Sequence, residues 1–259
     1  MAEIHPTAIV SSEAALASEV VVGPYAIVEA AVTIGAGTVV GPHVRIEGPT
    51  TIGERNRFAG HSSIGSPPQD LKFKGEHTEL RIGNDNVFRE FVTLNRGTVG
   101  GGGLTTIGSR NFMMAYAHVA HDCHVGDDTI FANAATLAGH VEVGDFATIG
   151  AFSAVHQFCR VGDHAFMGGF TVATQDVLPF VKTVGNRPAK TYGVNTIGLE
   201  RKGFSKDTIE ALQKAYRILV RSRLRLEDAL ARIEADLPYY PEARYMVEFI
   251  RGSQRGIVR

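Results

Sequence analysis

The chain has 259 residues, 44% of them hydrophobic and 20% charged, and its 26 Lys and Arg against 27 Asp and Glu leave a net charge of −1; this is the composition of a folded soluble protein with no overall electrostatic pull toward nucleic acid. No apolar run approaches the ~20 residues that span a bilayer, and the opening MAEIHPTAIV lacks a basic stretch followed by a long apolar run, so no transmembrane segment and a cytoplasmic location are expected. Two cysteines, Cys123 and Cys159, are too few for a disulfide framework or a cysteine-based zinc site.

Taken from the amino terminus, every sixth residue from Ile4 to Ile64 is apolar, the register returns at Ile82, Phe88 and Leu94, and it runs again from Ile107 to Ala173, 26 hexads in all. A strict period of six fits neither a helix nor simple strand alternation. Short flat β faces joined by tight corners produce it, three faces closing one triangular coil. Glycine follows the apolar residue in twelve hexads, Gly23, Gly35, Gly53, Gly126 and Gly162 among them, where a sharp corner or close backbone packing excludes a side chain. Stacked strands repeat at ~4.8 Å, so roughly nine coils give a prism of about 40 Å in which residues three hexads apart lie one above another. Cys123 and Cys159 then share a stack with Val141 between them, their backbones roughly 10 Å apart and beyond disulfide reach. Repeats of this kind resemble the left-handed β-helix acyltransferases, and the left hand is implied by that resemblance alone. The expected fold is an all-β left-handed parallel β-helix, a triangular prism over residues 1–190.

Two segments interrupt the hexads: residues 65–81, carrying SPPQDLKFKGEH, and residues 97–106, carrying GTVGGGG. Both read as loops projecting from the prism, and the polar first one is the candidate for ligand contact. After Pro188 the pattern changes. Ser205 can cap a helix bearing Ile209, Leu212, Tyr216, Leu219 and Val220; a second carries Leu226, Leu230 and Ile233 until Pro238; Pro241 can open a third with Tyr245, Phe249 and Ile250. A small helical domain over residues 191–259 is expected. Between residues 200 and 225, eight basic side chains against three acidic ones leave a local balance of +5, which suits either a solvated helix face or the docking of an acidic partner or phosphate.

The histidines concentrate the chemistry. His118, His121 and His124 lie in HVAHDCHVGDD, with His140 beyond. Such density suggests a metal, yet His118 and His124 end successive faces and sit around a corner from each other, so their convergence in one chain is poor. Acid–base catalysis is the alternative. By the stacking rule His121 faces Gly139, with Gln157 one coil further, leaving no side chain directly over the imidazole. Asp122 is adjacent to His121 and stacks beneath His140, able to orient or polarise an imidazole. The Gly139 N–H could receive an oxyanion. Such a site takes a proton from a hydroxyl attacking a thioester and returns it to the departing thiol, with no cofactor and no metal.

IGSPPQDLKF, NRGTVGGGGLTTIG, AHVAHDC, ATLAGHVEVGDFATIG, AVHQFCRVG and GLERKGFS, with the helical tail, resemble the UDP-N-acetylglucosamine O-acyltransferases that begin lipid A biosynthesis. The resemblance spans nearly the whole chain. It implies His121 as general base and Gly139 as oxyanion contact; Gln69, Asp70 and Lys72 with His118, His140 and His156 lining the acceptor and acyl sites, Gln157 being grouped with these substrate-facing residues; Asn195 and Arg201 at the nucleotide; and Gly169 where acyl length is set, its missing side chain favouring a longer chain. It further implies a homotrimer with sites between neighbouring prisms, and a 3-hydroxyacyl acyl carrier protein as donor, an acidic partner for the basic segment. Asn95 and Ile197 depart from the family pattern and weaken the nucleotide-side carry-over; they suit a 3-amino sugar and an N-acyl product, or drift. Other hexapeptide-repeat acyltransferases, an interfacial metalloenzyme with histidines from two subunits, and a non-catalytic scaffold are the competing readings.

Overall fold

The computed structural model describes residues 1–186 and 188–259. Three sheets of 11, 9 and 8 strands, parallel except for the last strand of the first, Lys190–Val194, wrap the hexad region into a left-handed β-helix. The first face begins at Glu3–Ile4, the second at Ile9–Val10 and the third at Ala15–Leu16, and the register pairs Ile4 with Val22, Val10 with Val28 and Leu16 with Ile34. The apolar hexad residues point inward. From Val22 to Ala173 they form one buried core in which Phe58 stacks on Phe88 at 4.8 Å, each such ring contributing about 1.5–3 kcal/mol by burial. An interior ladder runs along one corner: the Asn86 amide donates to Asn56 Oδ1 at 2.9 Å, and the backbone N–H groups of Asn111 and Thr129 donate to Asn86 Oδ1 and Asn111 Oδ1.

The corners resolve the choice left open for the glycines. Of the twelve that follow inward residues only Gly65 has positive φ; the others are excluded from bearing a side chain by the coil above, a β-carbon on Gly35 falling 2.5 Å from the Gly53 carbonyl carbon. The left-handed conformation belongs instead to twenty non-glycine residues between Glu19 and Phe180. That strain costs of order 1 kcal/mol or more at each corner, and stacking of the corner side chains on one another offsets it. Tyr25, His43, His61, Phe91 and Tyr116 form one such column along the edge between the first and second faces, with successive ring centroids 5.1, 4.8, 5.2 and 4.8 Å apart.

Both interruptions leave from the second face and return to the third, between Ser63–Ser66 and Glu79–Ile82 and between Thr93–Asn95 and Leu104–Ile107. They therefore emerge along one edge. Leu178 opens a second apolar core. It is entered through an antiparallel hairpin, Val181–Val184 with Lys190–Val194, which the hexad pattern did not announce, and through a six-residue helix, α1, Thr196–Arg201, also unforeseen. α2, Lys206–Arg221, is capped by the Ser205 hydroxyl, which accepts from the Thr208 N–H. α3 spans Leu226–Asp236, ahead of Pro238, and α4, Pro241–Arg251, opens on its proline. Arg160 ties α4 to the prism: its guanidinium donates to the Phe249 carbonyl at 2.6 Å, pairs with buried Asp176 at 3.2 Å and lies over the Phe249 ring at 4.3 Å. No helix among the described residues is long and apolar enough to cross a membrane. Cys123 and Cys159 are buried free thiols; burial pushes Cys123 up to about 12 and raises Cys159 as well.

Candidate active site

His121 and Asp122 sit where the chain turns from His118–Val119 on the second face to His124–Val125 on the third. Asp122 occupies the left-handed corner position with φ 58°, and His140 the same position one coil on with φ 62°. Corner geometry thus stacks a carboxylate beneath an imidazole. Asp122 is buried, and its Oδ2 lies 2.8 Å from His121 Nδ1 and 3.8 Å from His140 Nδ1. A carboxylate can only accept here, so Nδ1 of His121 carries the hydrogen and Nε2 keeps its lone pair. The ring faces Gly139 directly: a β-carbon there would be 2.5 Å from His121 Cε1 and 2.8 Å from Nε2. The N–H groups of Ala138 and His140 donate to the carbonyls of Val155 and His121, while that of Gly139 donates to no described residue.

Two further imidazoles flank the pair. His140 meets His121 edge-on at 5.1 Å and stacks on Phe158 at 4.4 Å; burial lowers its proton affinity, opposed by the charges of Asp122 and Asp70. His118 takes a 2.7 Å hydrogen bond with the Thr93 hydroxyl, and burial lowers it too, aided by His121. Both are held toward the neutral form. In the polar loop Asp70 is close enough to act on His140, and its carboxylate accepts the Lys72 N–H at 3.0 Å; Gln69 and Lys72 are exposed. His156 and Gln157 lie exposed on the same edge, one coil above Ala138 and Gly139. The edge therefore gathers every candidate from the loop and the histidine cluster. A groove of about 340 Å³ lined by Asp122, His140, Phe158 and Gly101 opens there and adjoins a larger one, about 670 Å³, running between the third face and α4.

Asn195, Arg201 and Gly169 are elsewhere. Asn195 and Arg201 share a cleft of about 520 Å³ over the first face with Ile197, His164, Phe166 and Lys202. The Asn195 amide donates to the His164 carbonyl at 3.1 Å, and Lys202 lies over the Phe146 ring at 4.6 Å. Gly169 is exposed on the edge between the first and second faces, where a β-carbon would come within 3.3 Å of the Ala151 carbonyl. One chain thus separates these three from His121. Asn95 is not in the cleft either: it is buried beside the polar loop, donating to the Ser66 and Pro67 carbonyls, and neighbouring Arg96 donates to that of Gly65 at 2.7 Å. The two anchor the base of the loop.

One feature follows the stacking rule and one does not. Side-chain N and O atoms of His121, Asp122 and His140 lie within 4.8 Å of one another among the described residues, as expected for Asp122 beside His121 and beneath His140, whereas His118 and His124 take no part in the cluster. The 2.8 Å hydrogen bond between His121 and Asp122 commits two of the three to each other. The second feature is Thr98. The glycine-rich segment leaves the prism as expected but its base folds over Asp122: the Thr98 N–H and hydroxyl donate to Asp122 Oδ1 and Oδ2 at 2.7 and 2.6 Å. The insertion breaks the stacking rule at this point, so no spacing argument could have paired them.

Comparison with known proteins gives a consistent picture. Residues 176–258 match a family model described as domain 2 of UDP-N-acetylglucosamine O-acyltransferase. The acyl-[acyl-carrier-protein]--UDP-N-acetylglucosamine O-acyltransferases of Thiobacillus denitrificans and Stenotrophomonas maltophilia are 53% and 52% identical, over 100% of both sequences in the first case and over 99% of this chain and 97% of the relative in the second. The solved structure of LpxA from Acinetobacter baumannii superposes with a TM-score of 0.96 at 46% identity, covering 99% of each chain.

Proposed function

The chain belongs to the UDP-N-acetylglucosamine O-acyltransferase family, and from that membership we propose how its residues carry the reaction. The protein is an acyltransferase that moves an acyl group from acyl carrier protein to UDP-N-acetylglucosamine in lipid A biosynthesis. In our reading the group is an (R)-3-hydroxyacyl chain and the acceptor is the sugar 3-hydroxyl. His121 Nε2 takes the hydroxyl proton as the oxygen attacks the thioester carbonyl. The oxyanion of the tetrahedral intermediate is received by the Gly139 N–H. Collapse expels the carrier's thiolate, which recovers the proton from His121, and Asp122 holds the Nδ1–H and balances the transient imidazolium. Neutral His118 and His140, with His156, Gln157, Gln69, Asp70 and Lys72, line the sugar and acyl path.

Asn195 and the Arg201 guanidinium, suited to a diphosphate, take the nucleotide. Their separation from His121 within one chain supports sites completed by a neighbouring copy, hence a homotrimer. Of the basic residues between 200 and 225, Arg201 and Lys202 belong to the nucleotide cleft, Lys214 pairs with Asp236 at 3.0 Å, and the remainder are offered to the acidic carrier protein. The prism, residues 1–190, carries the chemistry and the helical domain, residues 191–259, the docking; the cytoplasm is the proposed location.

The observation that carries this reading is the His121–Asp122 pair pressed against a glycine that leaves the imidazole face open. The test is an assay of the purified protein with 3-hydroxyacyl carrier proteins of several lengths, against UDP-N-acetylglucosamine and its 3-amino analogue, alongside His121→Ala. Loss of about 10²–10⁴ in rate is expected for the variant. Unimpaired turnover by His121→Ala, or acetyl-coenzyme A as the better donor, would overturn the mechanism.

A further inference from the structure

We propose that Thr98 is a positioning residue of the transfer reaction, setting through Asp122 how tightly His121 holds its proton. The inference rests on the reading of His121 and Asp122 given above. Thr98 is 8% exposed and caps a short 3-10 turn, Val99–Gly101, whose Gly101 N–H donates to the Thr98 hydroxyl at 3.2 Å. With one lone pair so engaged, the single hydroxyl hydrogen is directed to Asp122 Oδ2, 2.6 Å away. That oxygen is the one facing His121 Nδ1. Thr98 and His121 therefore donate to the same carboxylate oxygen, while the Thr98 N–H fixes the other.

The segment around Thr98 is built to this contact. A β-carbon on Gly101 would fall 2.1 Å from Asp122 Cγ, and one on Gly97 2.8 Å from Oδ1, so the glycines exist where backbone must close over a carboxylate. Asp122 thus has a fixed rotamer and a shared charge. The charged and titratable groups around the pair are His140 edge-on to His121, His118 on the preceding strand, Asp70 from the polar loop acting on His140, the buried Cys123 thiol next to Asp122, and His124, Glu142 and the Arg160–Asp176 pair, which line the groove with Asp122. Two donors on one oxygen divide its negative charge. Removing the hydroxyl leaves His121 as sole donor there, and the imidazolium is then held more tightly and gives its proton up less readily.

The experiment compares Thr98→Val and Thr98→Ser with the unaltered protein across pH. Thr98→Val is expected to lower kcat/KM about tenfold, with KM for UDP-N-acetylglucosamine within about twofold, and to move the acidic limb of the profile to higher pH; Thr98→Ser is expected to restore both. The downfield proton resonance of His121 Nδ1–H is a second readout independent of turnover, and it should shift in the valine variant only. An unshifted limb and resonance in Thr98→Val, or a serine variant as impaired as the valine one, overturns the role of Thr98. If His121→Ala turns over normally the reading beneath it fails as well, so the two failures are distinguishable.

Discussion

Two edges of the same prism share one backbone and differ in everything else. Along the edge between the first and second faces the left-handed corner positions hold Tyr25, His43, His61, Phe91 and Tyr116, then, past Ala134, Phe152 and Phe170, two exposed stacks of rings. Along the edge between the second and third faces the same positions hold Ala31 and, further on, Asp122, His140 and Phe158, roofed by two insertions. The repeat supplies a strained, outward-facing position every coil, and the side chain placed there decides between stacking and chemistry. Catalytic geometry in this fold is therefore a choice of residues at corners, made precise by a rigid spacing that the chemistry itself does not create.

The comparison is broken or sharpened first at Asp122. Asp122→Asn cannot hold the same tautomer of His121, and kcat/KM should fall about 10²–10⁴-fold in steady-state assays; near-normal activity would erase the distinction between the edges. Next come two glycines, one on each edge. Gly139→Ala pushes a methyl into the His121 ring and should cost about tenfold to a hundredfold in kcat, whereas Gly169→Ala, with only a 3.3 Å approach to a carbonyl to relieve, should stay within about threefold on the best donor. Bulkier residues at 169 should shorten the acyl chain accepted in a donor-length series.

A third prediction concerns protons. Burial lowers the folded-state affinities of His118 and His140 below the ordinary imidazole value of about 6.5, so in acid the unfolded chain binds more protons than the folded one. Their contribution to stability is complete above that value and is lost as pH falls through the folded values. The thermal midpoint should drop on acidification below about pH 6.5, and His140→Gln should lessen the drop. The smallest effect is on the aromatic edge: Tyr116→Leu removes one 4.8 Å stack with Phe91, costs about 0.5–1 kcal/mol in denaturant melts and leaves kcat/KM within about twofold.

The prism was legible because its determinant is local and periodic: Val22, Val40 and Phe58 point inward for the same reason. Stacking arithmetic extended that legibility to His121 over Gly139, since both lie in an uninterrupted run of hexads. It stopped at the insertions. Thr98 and Asp122 are 24 residues apart in the chain, and only coordinates show that the glycine-rich segment folds inward to meet a carboxylate. The hairpin at Val181–Val184 and the short helix α1 were illegible for another reason: they join two cores, and neither carries a period of its own. The positions of Asn195 and Arg201 over the first face follow from that junction, so their distance from His121 could not be read from residue spacing.

Cys123 lies two residues beyond the proposed base, its side chain turned into the core, and its sulfur donates to the Ala138 carbonyl at 3.1 Å. Burial, which pushes this thiol up to about 12, keeps it protonated near neutral pH. For a protein whose donor is a thioester this is protective: an accessible thiolate would capture the cargo by exchange and stall as an acylated dead end, and deep enclosure within the coil keeps this sulfur from competing.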